Sequence, residues 1–166
     1  MENDPFMFAI ELTRTGNHRM SNYINTLLEA DTSYETALNN LRISIHASDK
    51  TKFRTYSQVN PTCTAHAVYL NRGNIPEHVR LAFTRLRLSS HRLRIETGRW
   101  SRLAREQRLC TCGGVQDECH VLRDCPHTQY IRTLYAKPVV FPNIIIEAES
   151  FDDFKFVYDV LRCYET

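Results

Sequence analysis

Four residues in one short stretch of this chain have the types and spacing to hold a metal ion. Cys110, Cys112, His120 and Cys125 form the pattern C-x-C-x7-H-x4-C. Three thiolates and one imidazole make a four-ligand set for tetrahedral zinc, and a shell filled by protein leaves no open position for a reactive water. Such a site is structural: one zinc ion that fixes a loop, worth on the order of 10 kcal/mol in isolated zinc peptides. In an extended segment residues two apart point to the same side, so Cys110 and Cys112 can face one ion, and Gly113-Gly114 supplies the tight reversal that follows. The set is not closed by spacing alone. A C-x2-C pair is commoner than C-x-C, Cys119 could replace either His120 or Cys112, and His127 is a weaker substitute. The competing reading is four unrelated residues, two of them buried thiols.

The second feature is basic. Between Arg80 and Arg108 the sequence has nine arginines, at 80, 85, 87, 92, 94, 99, 102, 105 and 108, against two acids, Glu96 and Glu106, and no lysine. The planar guanidinium binds phosphate oxygens with two parallel hydrogen bonds, so an arginine-only segment fits recognition of a nucleic-acid backbone. Arg85, Arg87, Arg92, Arg94, Arg99 and Arg102 are the candidate phosphate contacts, and their binding would be salt-sensitive. His91 and Trp100 lie in the same stretch and could stack on unpaired bases, although Trp100 is assigned to the core in preference. The competing reading is a solvated helical face whose arginines pair with acids from the amino-terminal third.

Composition limits the alternatives. At 166 residues the chain is one domain's worth, with 24% charged residues and a formal net charge of only +2, so any electrostatic message lies in local clustering. The longest apolar stretch, Val139 to Ile146, is far short of the roughly 20 residues of a membrane span and is interrupted by Pro142. Met1 to Ile10 carries acids and a proline and has no signal-peptide pattern. The expected setting is intracellular, nuclear or cytoplasmic, without a membrane partner. Four of the six cysteines lie between Cys110 and Cys125, which in a reducing compartment favours metal over disulfides; Cys63 and Cys163 stand alone, and each reads as a buried free thiol. No glycine-rich phosphate loop, H-E-x-x-H helix or nucleophile elbow is present, and Asp152-Asp153 reads as helix-start charge. The chain is not expected to be an enzyme.

Helices must position these groups. Met20, Tyr23, Ile24, Leu27 and Leu28 predict a first helix by their three-and-four spacing. Thr32 and Glu35 have capping-box spacing, and Tyr34, Ala37, Leu38, Leu41 and Ile45 make the apolar stripe of a second. Ser48 to Gln58 predicts another helical turn or two, closed by Asn60-Pro61. His66 to Leu70 reads as a short extended apolar patch, and Asn71 to Asn74 as a turn. A helix then starts at Pro76-Glu77, carries Val79, Ala82, Phe83 and Leu86 on one face, and ends near Ser89-Ser90. Trp100 to Leu109 predicts a turn or two of helix anchored by Trp100, Leu103 and Ala104. Thr128 to Tyr135 reads as helix up to Pro138, and Val139 to Ile146 as a linker or short strand. The last helix begins at Ser150, with Asp152 and Asp153 in its first turn and Phe154, Val157, Tyr158 and Leu161 on one face. The fold class is therefore mainly α, a small helical domain with a CCHC zinc knuckle and little or no sheet. Its parts are an amino-terminal helical region, 1–75; an arginine-rich helix and knuckle, 76–130; and a carboxy-terminal linker and helix, 131–166.

The run Phe83-Thr-Arg-Leu-Arg-Leu-Ser-Ser-His-Arg-Leu, then Glu96-Thr-Gly-Arg-Trp-Ser-Arg, then Cys110-x-Cys112 and the closing His120-Val-Leu-Arg-Asp-Cys125-Pro126 resembles the zinc-binding segment downstream of reverse transcriptase in non-LTR retrotransposons. The resemblance covers 83–126; Asp4-Pro5-Phe6 and Phe156-Val-Tyr-Asp-Val-Leu look like the flanking carboxy-terminal region with less specificity. His120 and Cys125 reproduce the H-x4-C half of nucleic-acid-binding knuckles, which ranks Cys110, Cys112, His120 and Cys125 first as ligands. The resemblance implies a part in engaging RNA or target DNA beside a polymerase, here as an isolated fragment. No Tyr/Phe-x-Asp-Asp polymerase motif is present and 166 residues cannot hold a polymerase, so the catalytic activity does not transfer. The expected function is a zinc-stabilised nucleic-acid-binding module, RNA or a single strand in preference to duplex. The alternative is a structural or protein-interaction module that packs on a polymerase domain, or a degenerate remnant without activity.

Overall fold

The computed structural model describes residues 34–48, 51–70, 75–136 and 138–165. Within these, the elements in chain order are α1 (Tyr34–His46), α2 (Thr51–Val59), α3 (Ala67–Leu70), α4 (Glu77–Arg87), α5 (Arg94–Trp100), a 3-10 turn (Arg105–Gln107), a π-helical segment (His120–Asp124), a second 3-10 turn (Pro126–Thr128), α6 (Gln129–Tyr135), α7 (Asn143–Ile146) and α8 (Phe151–Arg162). The molecule is mainly α. Among the described residues there is no strand, only an isolated antiparallel bridge between Leu109 and Val115. No described helix is long and apolar enough to cross a membrane. The first helix expected from Met20 to Leu28, the Thr32 cap and the turn at Asn71 to Asn74 lie outside the described residues.

The packing centre is α4 against α8. Their apolar stripes meet as the period requires: Val79, Phe83 and Leu86 face Phe154, Val157 and Leu161 in one buried cluster. The Phe83 and Phe154 rings meet edge to face, with centroids 4.9 Å apart and planes at 79°. Each such side chain contributes about 1.5–3 kcal/mol by leaving water. Val121 and Leu122 of the π-helical segment, Ile131 of α6 and Ile145 of α7 join the same cluster. The arginine-rich stretch, the Cys/His segment and the terminal helix thus share one core. A smaller cluster gathers Leu41 and Ile45 of α1 with Tyr56, Cys63 and Leu88.

Local signals set several boundaries. At the start of α8 the Ser150 hydroxyl accepts from the Asp153 N–H at 3.2 Å. The Asp153 carboxylate accepts from the Ser150 N–H at 2.9 Å, completing a reciprocal cap. Pro76 directly precedes α4 and Glu77 opens it. The chain departs from the sequence expectations at three places. The patch His66 to Leu70 is not extended, because Ala67–Leu70 is a helical turn. The run Val139 to Ile146 is not a strand, despite three successive β-branched isoleucines. After Pro142 the chain curls, with the Ile144 N–H donating to the Val140 carbonyl and Glu147 to Asn143, and this turn buries Ile145 and Ala148. Lastly, the helix expected from Trp100 lies earlier, at Arg94–Trp100, and turns Ile95 and Gly98 inward. Trp100 sits two residues past Gly98, about 200° around the helix, and is 77% exposed. Leu103 and Ala104, the other expected anchors, are exposed as well.

Candidate metal centre and the arginine surface

The loop that carries the cysteine pair is a tight reversal. The Cys110 N–H donates to the Gly114 carbonyl at 2.7 Å, the Gly113 N–H to the Cys110 carbonyl at 2.9 Å and the Gln116 N–H to the Arg108 carbonyl at 2.8 Å. Gly113 has φ +93°, a backbone conformation that L side chains rarely adopt. Gly114 is required for a different reason. A Cβ there would lie 2.6 Å from Cε1 of His120, so the bare glycine backbone is the floor on which the imidazole rests.

The other two donors come from the next segment. The Asp117 carboxylate accepts from the His120 N–H at 2.8 Å, a cap on the helical start. His120 and Cys125 are five residues apart, which in an α-helix would leave them about 140° out of line. The Cys125 N–H instead donates to the His120 carbonyl at 2.8 Å, an i to i+5 bond that widens the turn and returns both side chains to one side. Arg132 of α6 holds the end of this segment, donating to the Cys125 carbonyl at 2.6 Å. Thr128, fully buried, donates to the Val121 carbonyl at 2.7 Å.

The ligand atoms of Cys110, Cys112, His120 and Cys125 all lie within 4.8 Å of one another. Cys125 Sγ is 3.7 Å from both Cys110 Sγ and Cys112 Sγ, and Cys112 Sγ is 3.1 Å from His120 Nε2. A tetrahedral ion with metal–sulfur bonds of about 2.3 Å places its sulfurs about 3.8 Å apart. The four residues therefore fit one metal ion. Burial pushes the Cys110 thiol up, but hydrogen bonds from the Cys112 backbone and from the His120, Cys112 and Cys125 side chains outweigh it and bring it down to about 6. Burial raises the Cys125 thiol. Cys119 and His127 are not members of the group. Cys119 adjoins His120 on a helical segment, where successive side chains diverge by about 100°, and burial raises its thiol.

The centre is tied to the arginine stretch by buried polar contacts. His91 Nε2 donates to the Glu118 carboxylate at 2.9 Å, while its Nδ1 accepts from the Leu93 N–H at 3.3 Å. Burial alone would push the Glu118 carboxyl up. The His91 hydrogen bond and the His91 charge, then the backbone and the Thr55 side chain, outweigh it and hold the group below its ordinary value. Gln116 clamps the start of α5, its side chain accepting from the Arg94 N–H at 2.8 Å and its carbonyl from the Ile95 N–H at 3.1 Å. Arg108 lies across Gly98 and donates to the Ile95 carbonyl at 2.7 Å and to Leu103.

The arginines consequently divide. Arg85, Arg92, Arg94 and Arg102 are exposed. Arg87, expected among the phosphate contacts, is 2% exposed, so it offers no surface to a phosphate. It sits two residues beyond Arg85, on the opposite side of α4. Arg99 pairs with Glu96 one turn earlier, Arg80 with Glu77 and Arg105 with Asp117. His91, offered by the sequence as a base-stacking residue, is buried on Glu118 and cannot serve; Trp100, assigned to the core, is at the surface. Asp117, Gln116 and Glu118 were not singled out, and Gly114 was expected only as part of the tight reversal, not as the seat of the His120 ring. Only Asp117 carries a local signal, three residues before His120, as a helix cap. Compared with known proteins, the chain matches no family model, no curated protein and no solved structure.

Proposed function

We propose that this chain is a zinc-stabilised nucleic-acid-binding module that engages RNA or a single strand in preference to duplex. The observation that carries the reading is the four-donor cluster itself, with thiol spacing suited to a tetrahedral ion, fastened through Gln116 and Glu118 to a segment with exposed arginines. Three thiolates and an imidazole favour zinc among the available divalent ions, and four protein donors leave no place for a reactive water, which argues for a structural ion in a binding module rather than an enzyme. Arg85, Arg92, Arg94 and Arg102 supply the phosphate contacts. The resemblance of 83–126 to the segment downstream of non-LTR reverse transcriptases points the same way, and a polymerase domain is then the natural neighbour.

The test is to express the chain with zinc, measure metal stoichiometry, and titrate a labelled RNA at two salt concentrations beside a Cys110→Ser/Cys125→Ser variant. The expected result is one zinc per chain, lost in the variant, and an affinity that falls steeply with salt. A second reading has its own support: Trp100, 77% exposed, with Leu103 and Leu109 at 41% and 39%, offers an aromatic anchor of the kind that protein interfaces use. Bound zinc without RNA affinity would favour that reading, a module that packs on a partner protein.

A further inference from the structure

Two of the exposed arginines lie together. Arg92 and Arg94 line a cleft of about 720 Å3, together with Thr111, His127, Tyr130 and Tyr164. Its walls come from three distant parts of the sequence: the approach to α5, Thr111 between Cys110 and Cys112, and the α6–α8 region. No carboxylate of the described residues lines it. Neither Arg92 nor Arg94 forms an ion pair among the described residues, in contrast to Arg80, Arg99 and Arg105. Tyr130 is 64% exposed, and its ring meets no other aromatic ring among the described residues. Thr111 and His127 face each other, Oγ1 to Nε2 at 2.9 Å, and link the metal-site loop to the far wall.

We infer that this cleft takes one nucleotide of a single-stranded nucleic acid, with the Arg92 and Arg94 guanidiniums on its phosphate and the Tyr130 ring stacked on its unpaired base. The inference rests on the nucleic-acid-binding reading and assigns it a place. The volume lies within the about 300–1,000 Å3 of clefts that enclose small ligands. Two guanidiniums with no ion pair among the described residues supply forked donors for phosphate oxygens. An aromatic face beside a cationic track is the combination that holds single strands, because every base has a face to stack. A duplex keeps its bases paired and stacked, so it can use the arginines but not Tyr130. The metal centre then acts on binding through position, by fixing Thr111 and hence one wall.

The experiment titrates the full zinc-loaded chain with a labelled oligouridylate and with an RNA duplex of the same length, across a salt series. Variants are Tyr130→Ala, Tyr130→Phe and Arg92→Ala/Arg94→Ala, each checked for zinc content and far-ultraviolet circular dichroism. The single strand should bind more tightly than the duplex. Tyr130→Ala should weaken the single strand by about tenfold and leave the duplex unchanged, while Tyr130→Phe, which keeps the ring, should retain binding. The double arginine variant should weaken both and flatten the log–log salt slope for the single strand by about 0.7, the value for one phosphate contact. Wild-type binding that is indifferent to Tyr130→Ala and to the arginine pair overturns the cleft while leaving a nucleic-acid-binding module elsewhere on the surface. Equal affinity for duplex and single strand overturns the stacking role. Absence of salt-sensitive binding by the wild type overturns the cleft and the broader reading together.

Discussion

A single missing methyl group shapes the metal centre. With a Cβ at Gly114 held 2.6 Å from the His120 ring, Gly114→Ala must displace the imidazole or the loop. Its affinity for zinc or cobalt(II) should fall by about tenfold or more, the scale on which groups that orient ligands act. Gly113→Ala should instead pay for its positive φ in stability, since nothing lies within 4 Å of the new atom. Competition with a chromophoric chelator measures the first and denaturant titration the second. Equal metal affinity for Gly114→Ala and wild type would show that the ring does not need that floor. His66 makes a separate prediction. Burial, and then the neighbouring Arg87 charge, lower its pKa from 6.5 to about 3, and its Nε2 is held on the Ile145 carbonyl at 3.0 Å. Between those values the unfolded chain binds a proton that the folded chain does not. The stability tied to neutral His66 is therefore complete above the unfolded pKa and is lost as pH falls toward 3. From pH 7 to pH 5 the loss is about 2 kcal/mol. His66→Gln should remove that share of the acid sensitivity, so the stability gap between wild type and variant should narrow by about that much on acidification. A gap that stays constant with pH would refute the account, and because both proteins keep the same cysteine cluster its own acid response cancels.

At the scale of elements, helix register decides which side chains are available. Arg85 and Arg87 stand on opposite sides of α4 because two residues turn an α-helix by about 200°. The same geometry on α5 sends Trp100 outward once Ile95 and Gly98 are inside. Beside the Gln116 clamp on α5, the approach to that helix is joined to the metal-site segment by the His91–Glu118 contact, in which both side chains are almost wholly out of water, at 2% and 4% exposure. His91→Ala would leave a buried carboxylate without its main hydrogen-bond donor. The expected cost is about 3 kcal/mol, the range for stranding one member of a buried charged contact. Chemical denaturation measures it, and His91→Ala/Glu118→Gln should recover part of the loss by removing the charge. A neutral single variant would mean that water or another donor reaches Glu118 without strain.

At the scale of the molecule, the centre is part of the main core. Val121 and Leu122 sit between the candidate ligands His120 and Cys125 and are fully buried against the α4–α8 pair. Removing the metal should therefore loosen more than a surface loop. Chelation is expected to lower the thermal midpoint and to speed amide exchange across 118–132 and the facing side of α8, with the Leu41–Tyr56 cluster much less affected. Exchange measured by mass spectrometry before and after chelator resolves these regions. Loosening confined to 110–116 would mean that the core holds the His120–Asp124 segment without metal.

Much of this organisation is carried by short-range pattern. The stripes of α1, α4 and α8 and the Ser150 cap are local regularities, and each helix needs only its own residues to express them. The C-x-C-x7-H-x4-C spacing likewise nominates the residues that the fold gathers within 4.8 Å. It left Cys119 as a competitor, and only the three-dimensional course of 117–125, with an Asp117 cap and an i to i+5 turn, separates Cys119 from the group. The fate of the arginines and aromatic residues was not legible in the same way. Arg85 and Arg87 look alike in sequence, and Trp100 looks like a core residue. Their exposure depends on which face of α4 meets α8 and which face of α5 meets Arg108. The sequence by itself determined the helical class and nominated the donors with Cys119 still in competition, because periodicity and ligand spacing are properties of neighbouring residues. Tertiary structure alone decided that His91 is spent on Glu118 and that Arg92, Arg94 and Tyr130 share a cleft, because those relations join residues from 27 to 38 positions apart through packing that no local window contains.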